Sequence, residues 1–152
     1  EEWARELYKK AENTTKDSSD LHGLTESLFE KLGDPVWAKK TCLKAESLAQ
    51  DSTDFCGLAD SLCERLDDKK WAKKLYEKAE KKAEASFEFR WLADSLYERL
   101  GDKEWAKKLY EKAEEKAETS FEFRWLADSL YGKLGWKEWS EKIYLKAAQS
   151  IH

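Results

Sequence analysis

The stretch WAKKLYEKAEKKAEASFEFRWLADSLYERLGDKE, residues 71–104, is followed directly by WAKKLYEKAEEKAETSFEFRWLADSLYGKLGWKE, residues 105–138. The two differ only at Lys81/Glu115, Ala85/Thr119, Glu98/Gly132, Arg99/Lys133 and Asp102/Trp136. Self-similarity at a fixed period is the mark of stacked repeat architectures. Copying this close points to recent amplification or to deliberate consensus design. Outward from this pair the register persists. Trp3, Trp37, Trp71, Trp105 and Trp139 stand 34 residues apart. Ala recurs at 11, 45, 79, 113 and 147, and Tyr at 8, 76, 110 and 144, with Cys42 in the odd copy. Leu recurs at 24, 58, 92 and 126, at 28, 62, 96 and 130, and at 32, 66, 100 and 134. Ser recurs at 27, 61, 95 and 129.

Each unit reads as two amphipathic helices. In 87–100, Phe89, Leu92, Ala93, Leu96, Tyr97 and Leu100 share one face at helical spacing. In 104–117, Trp105, Ala106, Leu109, Tyr110, Ala113 and Ala117 form one stripe. Gly101 ends the first helix in a left-handed conformation and Asp102 caps the second. Ser86 and Ser120 are candidate caps for the first helices of their units. Pro35 suits the start of a second helix, where its missing N–H is not needed. No strand-like alternation is present. The phasing predicts nine helices in one domain, residues 1–152. An unpaired second-type helix occupies 1–17, and hairpins occupy 18–51, 52–85, 86–119 and 120–152.

This period, with Gly101-Asp102, Ala106, Tyr110 and Ala113 in the turn and second helix, resembles the tetratricopeptide repeat, over nearly the whole chain. Tyr97 fits an aromatic position late in the first helix. Two departures stand out. The small residue of the first helix is displaced onto Ala93, with Asp94 at the expected place, and the Pro near the repeat end is replaced by residues such as Glu118. A slightly rotated first helix or a sister 34-residue family both accommodate them. The resemblance implies an all-α, right-handed superhelical solenoid whose first helices line a concave, protein-binding surface.

Charged residues make up 39 % of the 152, but 13 % are aromatic, enough to build a core rather than a disordered chain. Net charge is −4, and the two central repeats balance, so no basic stripe exists for phosphates to neutralise. No apolar run reaches the ~20 residues of a membrane span, and no signal peptide is apparent. Three cysteines, an odd and small number, fit a reducing, cytoplasmic setting better than a disulfide scaffold.

No constellation for chemistry emerges. His22 and His152 are the only histidines, and His22 has no Ser or Cys at triad-like spacing, so it reads as a surface residue. Cys56 and Cys63 lie seven apart, which is not a zinc spacing. Cys42 and Cys63 replace aromatic positions on one helix pair and read as small buried thiols, as a slightly under-packed second repeat or as a disulfide. The chain is therefore expected to be non-catalytic, with no cofactor and no metal.

The functional signal lies off the core stripe. With Phe89 at zero, Asp94 falls near about 140°, Phe87 near about 160°, Glu98 near about 180° and Trp91 near about 200°. Phe87 and Trp91 are i,i+4 partners, copied as Phe121 and Trp125, with Arg90 and Arg124 beside them and Asp128 repeating Asp94. Ser19 and Gly23, then Thr53 and Gly57, occupy the matching places earlier. By the resemblance, Phe87, Arg90, Trp91, Asp94, Glu98, Phe121, Arg124, Trp125 and Asp128 form a ligand-binding groove for a peptide or protein. Burial of these aromatics between first helices and self-association are the alternatives. Base stacking on RNA suits the aromatics and arginines, but the charge balance opposes it. Trp136, standing where Asp34, Asp68 and Asp102 stand, reads as a stack cap or a contact. With the unpaired first helix it leaves the chain a monomer or an end-to-end homo-oligomer.

Overall fold

The computed structural model describes residues 2–133 and 135–150. Leu134 of the leucine register, and Ile151 and His152 at the chain end, lie outside the described residues. Among the described residues the chain is all helical. Nine α-helices occur: α1 (Glu2–Thr14), α2 (Ser18–Ser27), α3 (Pro35–Leu48), α4 (Ser52–Glu64), α5 (Lys69–Lys82), α6 (Ser86–Ser95), α7 (Lys103–Lys116), α8 (Ser120–Tyr131) and α9 (Lys137–Gln149). The most extensive packing joins α2 with α3, α4 with α5, α6 with α7 and α8 with α9, the hairpins that the period predicts. The chain forms two compact units, residues 1–82 and 83–152.

Most of the positions named from spacing form the core, although Tyr97 and Leu100 at the end of the first stripe are only half-buried. Leu92, Ala93 and Leu96 of the first helix are fully buried, as are Ala106, Leu109, Tyr110 and Ala113 of the second. The recurring Trp is different. Trp37, Trp71, Trp105 and Trp139 are half-buried, and three of them show why. The indole Nε1 of Trp37 donates to Glu12 (2.9 Å), that of Trp71 to Glu46 (3.0 Å) and that of Trp139 to Glu114 (3.2 Å). Lys78 and Lys146 reach the same Glu46 and Glu114 carboxylates at 2.8 and 3.0 Å. At these three positions the Trp thus pins one second-type helix to the preceding one at the edge of the core.

The turns explain the helix boundaries. In repeats one and three the first helix ends in a π-helical turn, residues 28–32 and 96–100. Gly33 and Gly101 then adopt positive φ, 59° and 64°, where a Cβ is disfavoured. In repeat two Asp67 takes the same conformation at φ 48°, a region that Asp tolerates better than most residues. The amides of Asp34, Asp68 and Asp102 close each turn onto Leu28, Leu62 and Leu96. The same three aspartates cap the second helices by accepting from the Trp37, Trp71 and Trp105 amides at 3.0–3.1 Å. Those bonds hold the Asp34 and Asp68 carboxyls below the usual range.

Ser86 and Ser120 are not caps. Each is the first residue inside its helix, and the capping positions are Ala85 and Thr119. The Ser86 hydroxyl instead donates to the Ala113 carbonyl near the end of α7 (2.7 Å), as Ser18 does to Ala45 (2.8 Å). Trp136 has given up the capping carboxylate. Its indole packs on Tyr97, Tyr110 and Trp139 at centroid distances of 5.4, 5.6 and 6.1 Å, closing the α6–α9 unit.

Candidate functional site

In the C-terminal unit α6 and α8 lie side by side, and a cleft of ≈ 710 Å³ opens between them. Arg90 and Asp94 line it from the first of these helices, Glu98 from the π-helical turn that follows it, and Trp125 and Asp128 from the second. Five of the nine residues named from the sequence therefore meet in one depression. Phe87, Trp91, Phe121 and Arg124 do not line it. They stand on the surface of the same two helices, with Phe87 46 %, Trp91 37 % and Phe121 60 % exposed, while Trp125, which does line the cleft, is itself 46 % exposed. Phe121 and Trp125 touch as the i,i+4 spacing requires (6.2 Å), and the Arg124 guanidinium sits 5.3 Å from the Phe121 ring.

Asp94 has a role the wheel did not reveal. Its carboxylate accepts from the Tyr110 hydroxyl, the Ser129 hydroxyl (3.1 Å) and the Lys133 ammonium (3.3 Å), with Arg90 at 3.5 Å. Burial, then the Asp94 charge, pushes the Tyr110 hydroxyl well above its ordinary pKa. The N-terminal unit carries the same joint. Glu26, in register with Asp94, accepts from Ser61 (2.5 Å) and from Arg65 (3.5 Å), which match Ser129 and Lys133. Within each unit the acid therefore locks the two first helices together, and the recurring Ser is its partner. Lys133 also lies 5.3 and 5.4 Å from the Tyr97 and Tyr110 rings. Ser129, Lys133, Tyr97 and Gly132 complete the lining. Of these, Ser129 shows in the sequence only as a residue that recurs every 34 positions.

His22 is not a simple surface residue. It is half-buried against Gly57, and its Nε2 lies 2.5 Å from the Ser61 hydroxyl. That hydroxyl donates to Glu26, so His22 must present N–H rather than a bare nitrogen to Ser61. A general base needs the opposite arrangement. Burial pushes the His22 pKa below its ordinary 6.5, partly countered by Glu26, Asp60 and Asp54. The unfolded chain takes up this proton first. The contribution of His22 is thus intact above about pH 6.5 and is lost as pH falls through the folded value. Melting temperatures recorded from about pH 7 to about pH 5 should decline. His22→Gln should reduce that decline, and an identical slope in the variant would show that other groups cause it.

Cys42, Cys56 and Cys63 form no disulfide. Cys63 lies 4.0 Å from the Tyr76 hydroxyl, and burial pushes the Cys42 thiol up to about 12. Among the described residues no group of His, Cys, Asp or Glu could hold a metal ion, and no helix is long and apolar enough to cross a membrane. No family model, curated protein or solved structure matches this chain.

Proposed function

We propose that the chain is a non-catalytic interaction scaffold that binds a peptide or protein on the α6/α8 face. The observation that carries this reading is the cluster of Phe87, Trp91, Phe121 and Trp125, each more than a third exposed, beside a cleft of mixed charge. Exposed aromatics next to arginine have the composition of binding hot spots. Asp94 is half-buried in its joint with Tyr110, Ser129 and Lys133, so the recognition groups are the aromatics, Arg124, Glu98 and Asp128, the last exposed although it accepts from Tyr144. The likeness to tetratricopeptide repeats supports a right-handed solenoid with this face concave, and a cytoplasmic setting agrees with the thiols.

A ligand peptide selected from a displayed random library tests the reading. Selected peptides should carry an apolar anchor. The Trp91→Ala/Trp125→Ala variant should bind them at least about tenfold more weakly at an unchanged melting temperature. Equal enrichment on the variant, or loss of binding only together with loss of folding, would sink it. The near-identity of 71–104 and 105–138 favours a second reading, a designed or structural module without a natural ligand. A library that yields no ligand dependent on these residues favours that one.

A further inference from the structure

Helix α1 carries the second-type core stripe, yet it is the one helix among those described with no buried residue. Leu7 stands in register with Leu75 and Leu109, which are 0 % exposed, and is itself 49 % exposed. Trp3 is 74 % exposed where its equivalents are half-buried. Ala4, Tyr8 and Ala11 are partly exposed where Ala72, Tyr76 and Ala79 are fully buried. The repeat itself says what covers such a stripe. Each of α3, α5, α7 and α9 lies under a first-type helix, and α1 has none of its own among the described residues.

We propose that the Trp3–Leu7 face of α1 is a docking site for one amphipathic helix of first type, with the pattern Leu-Ala-Asp. Leu58-Ala59-Asp60, Leu92-Ala93-Asp94 and Leu126-Ala127-Asp128 supply the template. The two apolar positions fill the uncovered stripe. The aspartate accepts the Tyr8 hydroxyl, as Asp60, Asp94 and Asp128 accept those of Tyr76, Tyr110 and Tyr144. A second copy stacked end to end is a poor occupant. Its first-type helices are each packed on their own partners, so its α9 would bring a second-type helix to a place shaped for a first-type one. Ala148 moreover stands where Glu12, Glu46 and Glu114 accept an indole, so α9 offers Trp3 no acceptor at that register position.

The test is a labelled peptide with the sequence of residues 86–102, titrated into the full chain and read by fluorescence anisotropy. Saturable binding is expected, weakened at least about tenfold by Leu7→Glu in the chain and measurably by Asp→Asn at the peptide position matching Asp94. Leu7→Glu leaves the chain's own folding intact because Leu7 is already exposed. Binding should survive Trp91→Ala/Trp125→Ala, which separates this site from the α6/α8 face. If the isolated peptide is too weak a helix to bind, the same sequence joined ahead of Glu1 should slow amide exchange in α1, and Leu7→Glu should abolish that protection. Slowed exchange of this kind supports the proposal by itself. Absence of both saturable binding and slowed exchange overturns it. So does binding indifferent to Leu7→Glu, or binding lost with the two tryptophans.

Discussion

Leu109→Ala is expected to lower the stability of the C-terminal unit by about 2–5 kcal/mol, whereas Leu7→Ala, at the same place in the repeat, should change stability by less than about 0.5 kcal/mol. Both positions carry Leu on the apolar stripe of a second-type helix. Leu109 of α7 lies wholly out of solvent, so truncation removes packed methyl groups and leaves a cavity that the neighbours only partly fill. Leu7 has water on one side already, and its loss opens no cavity. Urea unfolding of the two variants, followed by helical circular dichroism, checks the pair. Equal midpoints would mean that register rather than burial sets the energetics, and would remove the basis for calling the α1 face uncovered.

The second large effect is expected at Asp94. Asp94→Ala should cost roughly 2–4 kcal/mol, since it strands a buried tyrosine hydroxyl and a mostly buried ammonium at once. Tyr110 is fully buried and the Lys133 side chain is 10 % exposed, so water replaces the lost carboxylate poorly. Asp94→Asn should recover part of the loss, because the amide oxygen still accepts from Tyr110 and Ser129 while the charge facing Lys133 is gone. Asp128→Ala is the control. Asp128 is exposed and its hydrogen bond is with Tyr144, so the change should be well under half that of Asp94→Ala. Differential scanning calorimetry of the three variants gives the comparison. Equal effects at the two aspartates would refute the joint between first helices as a source of stability.

These predictions also mark where sequence reading succeeds. The buried sets on α6 and α7 follow from helical spacing alone, because each helix has one stripe and that stripe must meet another. The turn chemistry was equally legible. Gly101 and Asp102 act through their own backbone and the next few residues, so a local pattern contains the whole interaction.

Other assignments needed the packed structure. A helical wheel places Asp94 near Trp91 and away from the core, and so groups it with the ligand-binding face. It does line the cleft, but its carboxylate is engaged by Tyr110 on α7 and by Ser129 and Lys133 on α8. His22 likewise looked solitary until α4 brought Ser61 and Gly57 against it.

By itself, then, the sequence determined the helical hairpins, their boundaries to within a residue or two, their apolar stripes and the aromatic pairs that leave those stripes. These depend on 3.6-residue periodicity and on backbone preferences, which are local. Only the tertiary structure decided that the recurring Trp is an edge clamp on Glu rather than a core residue, and that Asp94 serves as a joint as well as a surface acid. It alone showed that the stripe on α1 lies open. Those facts depend on which side chain a neighbouring helix brings within hydrogen-bonding or van der Waals reach, and a single helix does not encode that.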